Sequence, residues 1–451
     1  MLMRLVLILN FIPLCLLLSA CGKSTVDLRE EILKAFDDPR QAGAPLPDTT
    51  KESDRGQGAI ENIFIYVDGS QSQQGFANPA GSLIRTYNKV VNAVIDKSKV
   101  GWPGANTQIY KFGQGLVGSP ITLPVIIHKS DFYNQPQTDL AAVIESFSLA
   151  SAKPSLGIVI TDGVQSVSKE RGTLGRAINA INTWMQRGNI FGMMMYKSEF
   201  HGKAFSEISG REIGYYNNEH GDRPFYLLIL APREEEFEKF YNLLQGSNLA
   251  PDSLLLFPDL RAQSIAWARP VEQNMFELHH VDPTQEPKFF WLQKQSSARV
   301  SRIAFSFELQ ENKYWRSDPL RANINPLHVN VAAKRYFNIM KEWQAFGPPG
   351  VEFLTDSTSV NGKKIFVSIT LKGFEENLQP GAIEAIRIRM RPRVDGVILP
   401  QWVYEVSTQD DTRLQNYNRT FNFDNFVRDI YSSYIEGLQT DLADFYIATM
   451  N

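Results

Sequence analysis

The pattern of apolar residues changes character along the chain, and it predicts two folded parts of different class. From Ile60 onward, continuous apolar runs alternate with stretches whose apolar residues recur every three or four positions. Continuous runs are typical of strands buried on both faces, and the longer period is typical of helices that bury one face. Residues 59–257 are therefore predicted to form an α/β domain with a doubly wound, mostly parallel sheet.

Six apolar runs of this domain are predicted strands, and four amphipathic stretches are predicted helices. The strands are residues 63–67, "TQIYKFG", "ITLPVIIH", residues 156–160, "IFGMMMY" and "PFYLLIL". The helices are residues 83–94, "TDLAAVIESFSLA", residues 170–186 and "REEEFEKFYNLLQ". A polar stretch, residues 198–223, separates the last two strands and is interpreted as an insertion.

Past residue 262 apolar and polar residues alternate, as in "AFSFEL", "KIFVSITL", "AIRIRMRPRV" and "WVYEVS". Such alternation is typical of strands with one buried face, so residues 262–451 are predicted to form an antiparallel, β-sandwich-like domain. A terminal helix is predicted over residues 423–438. Alternate arginines of the third segment, from Arg387 to Arg393, either meet anionic lipid headgroups or an acidic partner, or lie on a solvated sheet face where they pair with glutamates of neighbouring strands. The second interpretation is favoured.

Residues 1–20 have the pattern of a signal peptide, with one basic residue, Arg4, a short apolar core and small residues before Cys21. The stretch is too short and wrongly flanked for a lasting membrane span. Leu-Ser-Ala-Cys at its end resembles the bacterial lipobox. That resemblance implies cleavage before Cys21 and acylation of this cysteine by chains such as palmitate. A plain secretory signal is the alternative. Residues 21–58, rich in Pro, Gly and charge, are predicted to be the acylated N-terminus and a flexible tether.

Net charge and cysteine content limit the classes of partner and the kinds of covalent stabilisation that the chain can have. A formal net charge of −3 over 451 residues argues against binding nucleic acid by bulk electrostatics. Cys15 and Cys21 are the two cysteines, so cleavage leaves no thiol pair for a disulfide. We expect a lipid-anchored protein of the cell envelope. An aspartate directly after the lipidated cysteine resembles the inner-membrane retention signal of enteric-type bacteria. This chain has Gly22 there, so the resemblance implies the outer membrane, facing the periplasm, rather than the inner membrane.

Candidate chemistry lies where two predicted strands end in an aspartate, Asp68 in "IYVDGS" and Asp162 in "IVITDG". Ligands of open α/β sheets bind beyond the carboxyl ends of the strands. Ser70 and Ser72 follow the first aspartate, and Thr138 precedes a predicted helix, so all five side chains are expected at one sheet edge. Every one offers oxygen, the donor that hard cations such as Mg²⁺ prefer, whereas zinc favours His or Cys.

Asp-x-Ser-x-Ser after the first strand, a later threonine and Asp-Gly after "IVIT" together resemble the von Willebrand factor type A domain and its metal-ion-dependent adhesion site. The resemblance covers about residues 60–257. It implies that the hydroxyls of Ser70, Ser72 and Thr138 bind Mg²⁺, or another divalent cation such as Mn²⁺ or Ca²⁺. It implies that Asp68 and Asp162 act mainly through bound water, and that an acidic residue of a protein partner completes the coordination.

The enzyme classes that these residues suggest each need a further catalytic residue or motif that the sequence does not provide. A phosphotransferase of the haloacid dehalogenase type needs a second aspartate two residues after Asp68, where this chain has Ser70. No convincing Gly-x-Ser-x-Gly elbow occurs. The chain is therefore interpreted as a non-catalytic lipoprotein that binds a protein partner through its metal site. A structural module binding through its C-terminal β domain, with the α/β part as scaffold, is one alternative, and a metal-dependent hydrolase is the least favoured.

Overall fold

The computed structural model describes most of the chain in sixteen segments. These are residues 25–37, 58–77, 85–150, 153–163, 173–257, 262–268, 276–280, 288–294, 300–309, 328–337, 340–345, 351–354, 364–372, 383–391, 399–437 and 443–450. The predicted signal peptide and Cys21 lie outside them. Within these segments, no helix is long and apolar enough to cross a bilayer.

The first part of the chain forms a seven-stranded mixed sheet with helices on both faces. Its strands are β1 (Asn62–Asp68), β2 (Asn106–Phe112), β3 (Leu116–Val117), β4 (Ser155–Thr161), β5 (Ile190–Ser206), β6 (Arg211–Ala231) and β7 (Ser253–Phe257). Helix α1 (Thr25–Ala35) precedes this sheet and does not cover it. The helices that follow are α2 (Gln74–Ala77), α3 (Thr86–Gly101), α4 (Leu140–Ala150), α5 (Thr173–Gln186) and α6 (Glu234–Gln245). The strand order is β3-β2-β1-β4-β6-β5-β7.

Strand β1 explains why a continuous apolar run indicates a central strand. Ile63, Ile65 and Val67 contribute to one core, which also contains buried residues of α3 and α6. Phe64 and Tyr66 contribute to the opposite core, with buried residues of α4 and α5. Because successive side chains of a strand point to opposite faces, a strand covered on both sides has no polar positions. The predicted α/β class is confirmed.

The sheet is parallel only at its centre, so the prediction of a mostly parallel, doubly wound sheet holds for that centre alone. Strand β1 pairs in parallel with β2 and with β4. Strand β6 instead lies antiparallel between β4 and β5. Residues 198–223, predicted to be a polar insertion, form the outer half of a hairpin in which β5 and β6 pair from Ile190 to Ser206. Polar residues mark the part of this hairpin that extends beyond the sheet.

Two predicted strands are wrong, and a proline accompanies each error. "ITLPVIIH" contains a 3-10 turn over Pro124–His128. "WVYEVS" lies mainly in a short helix, α7 (Gln401–Glu405), which begins directly after Pro400. Proline has no N–H to donate to a sheet, and its fixed φ suits the start of a helical turn. Apolar content alone does not show that a helical turn begins at these two positions.

The second part of the chain is β-rich, as predicted, and forms two larger sheets. Its strands are β8 (Ala262–Ala268), β9 (Phe276–His280), β10 (Lys288–Lys294), β11 (Val300–Leu309), β12 (His328–Phe337), β13 (Glu342–Ala345), β14 (Val351–Leu354), β15 (Lys364–Lys372), β16 (Ile383–Arg391), β17 (Ser407–Thr408), β18 (Thr420–Phe421) and β19 (Ala443–Met450). The orders are β13-β12-β16-β19-β10-β9 and β14-β15-β11-β8. The six-stranded sheet is mixed, because β10 and β19 are parallel. Face-to-face packing as a sandwich stays a prediction.

The predicted C-terminal helix is confirmed as α8 (Phe423–Gly437), and it joins the two parts of the chain by packing. The ring of Phe423 stacks on Tyr226 of β6, with centroids 4.5 Å apart. The ring of Tyr431 lies 4.9 Å from that of Phe257. Buried residues of α8 and of the six-stranded sheet belong to the same core as those of α4 and α5. The two parts therefore share one apolar interior.

The favoured interpretation of the arginine strand is supported in part by Arg387 of β16, which pairs across strands, but with an aspartate and at a largely buried position. Its Nε and Nη2 donate to the Asp444 carboxylate over 3.1 and 2.8 Å, and both side chains are largely buried. Asp444 of β19 lies directly opposite Arg389, two residues along the strand from Tyr446, which lies opposite Arg387. The guanidinium therefore pairs with a neighbouring strand rather than facing outward.

Helix α1 shows that the predicted tether contains a packed element. Leu28, Ile32 and Leu33 are buried against the six-stranded sheet, beside Phe289, Trp291 and Tyr446. Lys34, by contrast, is exposed on the same helix. Residues 38–57 of the predicted tether lie outside the described segments.

Replacing Ile32 by alanine should destabilise the protein, because this fully buried side chain leaves a cavity between α1 and the sheet. We expect a loss of roughly 2–4 kcal/mol in the free energy of unfolding for Ile32→Ala, and about 0.5 kcal/mol or less for the exposed control Lys34→Ala. Urea unfolding followed by tryptophan fluorescence measures both. Equal midpoints for the two variants would show that α1 is not part of the folded core.

Candidate metal centre

The first loop of the site is shaped by the end of β1. Asp68 is the last residue of the strand, and its Oδ1 accepts a hydrogen bond of 2.9 Å from the Ser70 amide. A 3-10 turn over Gln71–Gln73 follows and brings the hydroxyls of Ser70 and Ser72 to 3.0 Å from each other. The alternate spacing of the motif therefore places two hydroxyls together beside a carboxylate.

A second loop is held against the first by backbone hydrogen bonds. The amide of Gln135 donates to the Gly69 carbonyl, and the amide of Gln71 donates to the Gln135 carbonyl, each over 2.9 Å. This pairing brings in Thr138, which lies two residues before the start of α4 at Leu140. Its Oγ1 lies 3.2 Å from each carboxylate oxygen of Asp68. The backbone thus fixes the threonine relative to the aspartate.

The third component comes from β4, the strand next to β1. Thr161 ends β4 and donates its hydroxyl to Asp68 Oδ2 over 2.9 Å. Asp162 follows directly and is fully buried. Its Oδ2 lies 3.7 Å from Nη2 of Arg223, and its backbone carbonyl accepts from the Thr420 hydroxyl over 3.3 Å. All five predicted donors therefore lie at one edge of the sheet.

Electrostatics at this edge disfavour two negative charges. The five donors are buried, with exposures between 0 and 8%. Burial raises the pKa of Asp68 to about 7, and repulsion from Asp162 adds to this, while the Ser70 amide and the Ser70 and Thr161 hydroxyls oppose it. A carboxylate with such a pKa is costly to ionise in the absence of a cation. A divalent ion at this edge would remove that cost.

The donor set fits a hard divalent cation in chemistry. Three hydroxyls and two carboxylates provide oxygen, the donor that Mg²⁺, Mn²⁺ and Ca²⁺ take. No group of three or more His, Cys, Asp or Glu side chains occurs in the described part of the chain, so a zinc-type cluster is not found there. Ser70, Ser72 and Thr138 would hold such an ion, and Asp68 and Asp162 would balance its charge.

Three residues at the site escaped the sequence reasoning. Thr161 was detectable, because it immediately precedes Asp162 and occupies the last position of a strand adjacent to β1. Arg223 fell within residues 198–223, which looked like a polar insertion. Thr420 is 258 positions from Asp162, and no local pattern links the two. Arg223 and Thr420, which contact Asp162, were not predicted because they are far from it along the chain.

Comparison with known proteins does not assign this chain to a family. The chain matches no protein-family model, no curated protein and no solved structure at a significant level. The resemblance of the three motif segments to a von Willebrand type A site thus stays a prediction, while the placement of their side chains is a property of this fold.

Asp68→Asn should stabilise the metal-free protein above neutral pH. The folded carboxyl has a raised pKa, so the unfolded chain releases its proton first as pH rises from about 4. The native state therefore loses stability up to pH 7, and Asn avoids this loss. We expect the variant to exceed wild type by roughly 2–4 kcal/mol at pH 8 in chelator, and by less at pH 5.

Urea unfolding at the two pH values measures this difference. Asp96→Asn, at an exposed position of α3, is the matched control and should show no such gain at either pH. A gain for Asp68→Asn of the same size at pH 5 and pH 8 would contradict the electrostatic explanation.

Proposed function

We propose that this chain is a lipid-anchored protein of the bacterial envelope that binds a protein partner through a divalent cation. A von Willebrand type A-like domain would carry the ion, and no catalysis is involved. The observation that supports this best is the contact of Thr138 with both carboxylate oxygens of Asp68, beside the paired hydroxyls of Ser70 and Ser72. Residues from two separate loops thereby offer oxygen at one edge of the sheet.

A bound ion would supply Lewis acidity and a position open to an outside ligand. Neutral hydroxyls leave much of the ion's charge uncompensated, and Mg²⁺ exchanges the waters that it retains. A carboxylate of a partner is a suitable ligand for such a position. Asp68 and Asp162 would orient bound water and balance the remaining charge from beneath.

The outer rim of the site favours an acidic partner. Lys111 lies across Gly69, where an added side chain would clash with it, and its Nζ donates to Asn134 over 2.7 Å. Gln114 and Gln137 pair over 3.0 Å at an exposed position nearby. One lysine and several amides can meet a carboxylate-bearing loop without repulsion.

A non-catalytic role agrees with the groups that contact the donors. The side chains that contact Asp68 and Asp162 from outside the predicted motif include the hydroxyls of Thr161 and Thr420 and the guanidinium of Arg223. None of these side chains can serve as a general base near neutral pH. These three side chains therefore add no general base to the site.

Mg²⁺ or Mn²⁺ should bind to the purified protein and raise its melting temperature. Thr138→Val removes one hydroxyl at constant shape, so we expect the affinity for the ion to fall at least about tenfold. Thr107→Val is the matched control, because Thr107 lies near the start of β2, at the opposite end of the sheet. Calorimetric titration measures all three proteins. Wild type that binds neither ion would overturn the metal site.

Partner binding should require the ion. Recovery of partners from the native envelope by the full chain should succeed in Mg²⁺ and fail in chelator, and Asp68→Ala should behave like the chelated wild type. Quantitative mass spectrometry of the recovered proteins provides the measurement. Equal recovery under all three conditions would favour the alternative in which the C-terminal β-rich part binds the partner.

A further inference from the structure

A buried arginine stands beside the candidate metal centre. Arg223 of β6 is 1% exposed, and its Nη2 lies 3.7 Å from Asp162 Oδ2. For Nε and Nη2, the described residues provide no hydrogen-bond acceptor. A fully buried guanidinium is rare unless it is paired, because removing it from water is costly. Its position next to a predicted metal carboxylate therefore needs an explanation.

The guanidinium is fixed in place by the C-terminal segment. Its Nη1 donates to the carbonyls of Tyr417 and Arg419, the second over 2.7 Å. The Tyr417 ring lies 4.0 Å from Cζ, within the range of a cation–π contact. These contacts take up one end of the guanidinium and leave Nη2 directed at Asp162. The positive charge therefore cannot easily withdraw from the site.

The segment that fixes Arg223 is itself clamped to the α/β part. Asp411 accepts from the Ser206 hydroxyl over 2.8 Å and from the Glu207 amide over 2.5 Å at the tip of the β5–β6 hairpin. Thr420 donates to the Asp162 carbonyl and lies 2.9 Å from the Tyr226 hydroxyl. The arginine, its carboxylate and the carbonyls that hold it form one connected unit.

The positive charge of Arg223 changes the net charge of the metal site. Two ionised carboxylates, Asp68 and Asp162, balance one divalent cation. Arg223 then leaves one positive charge over, in a region where uncompensated charge is costly. One carboxylate from outside neutralises that excess, whereas a neutral ligand does not.

We propose that Arg223 makes cation binding and carboxylate binding cooperative. By sharing Asp162 with the ion, it weakens the binding of a divalent cation alone and strengthens the binding of an anionic ligand to the loaded site. Arg223 is thus a specificity-determining residue that favours acidic over neutral ligands. This inference rests on the proposed function, because it presumes that the site binds a divalent cation.

A purely architectural role for Arg223 makes different predictions. If the residue only ties the C-terminal segment to β6, its hydrogen bonds to the two carbonyls matter and its charge does not. Lysine keeps the charge but not the forked hydrogen-bonding geometry of arginine. Comparing Arg223→Lys with the uncharged Arg223→Met therefore separates charge from architecture.

The test uses the full chain in detergent and Mn²⁺ as the probe, titrated at pH 8 and constant ionic strength. Each titration is done with no addition, with acetate, and with acetamide as the neutral match for acetate. For wild type and Arg223→Lys we expect acetate to tighten Mn²⁺ binding at least threefold and acetamide to leave it unchanged. For Arg223→Met we expect Mn²⁺ alone to bind about tenfold more tightly, without an acetate effect.

Arg176→Met is the control, because Arg176 is about half exposed and pairs with Glu145 on the surface. It should reproduce wild type in every titration. Arg223→Met with wild-type affinity and a wild-type acetate effect would overturn the proposal, and so would Arg223→Lys that behaves like Arg223→Met.

If Arg223→Met does not fold, wild type decides, since Mn²⁺ binding that acetate does not tighten overturns the cooperativity while leaving the metal site standing. Wild type that binds no Mn²⁺ overturns the proposed function itself. The two failures are thus distinguishable in the same set of titrations.

Discussion

The closeness of two buried carboxylates is the constraint on which the rest of the site depends. Asp68 and Asp162 follow adjacent parallel strands, paired up to Val67 and Ile160, so the fold itself brings their charges together. Burial and mutual repulsion raise the pKa of Asp68 to about 7. Hydrogen bonds from Ser70, Thr138 and Thr161 offset part of this cost. The loops around them are arranged to stabilise negative charge.

The second half of the chain contributes to that arrangement. Segment 399–437 packs α8 against α5 and the sheet and carries the carbonyls that hold Arg223. The β5–β6 hairpin extends outward far enough for Asp411 to bind its tip. The C-terminal part is therefore a structural support of the site rather than a separate body joined by a linker. Changes in either half can reach the carboxylates through direct contacts.

Sequence patterns predicted the correct element where the local arrangement of apolar residues decides the structure. The strands at residues 63–67 and 156–160 are apolar throughout because both faces are covered, and the helices with apolar stripes were found for the same reason. Patterns failed where backbone chemistry or pairing outweighed apolar content. Proline started helical turns at Pro124 and after Pro400. The pattern does not show the outer half of the long hairpin as paired strands, because this half is rich in polar and charged residues.

The sequence by itself determined the five oxygen donors and their meeting at one sheet edge. Each donor lies at the end of a strand, in the loop that follows it or shortly before a helix, and adjacent parallel strands bring such segments to one edge of a sheet. Only the tertiary structure decided the charge around them. Strand β6 pairs between β4 and β5, which brings Arg223 close to Asp162. The backbone carbonyl of Tyr417, which accepts a hydrogen bond from Arg223, lies nearly 200 positions further along the chain. Strand order and such distant contacts arise from competition among many pairings, which no local pattern records.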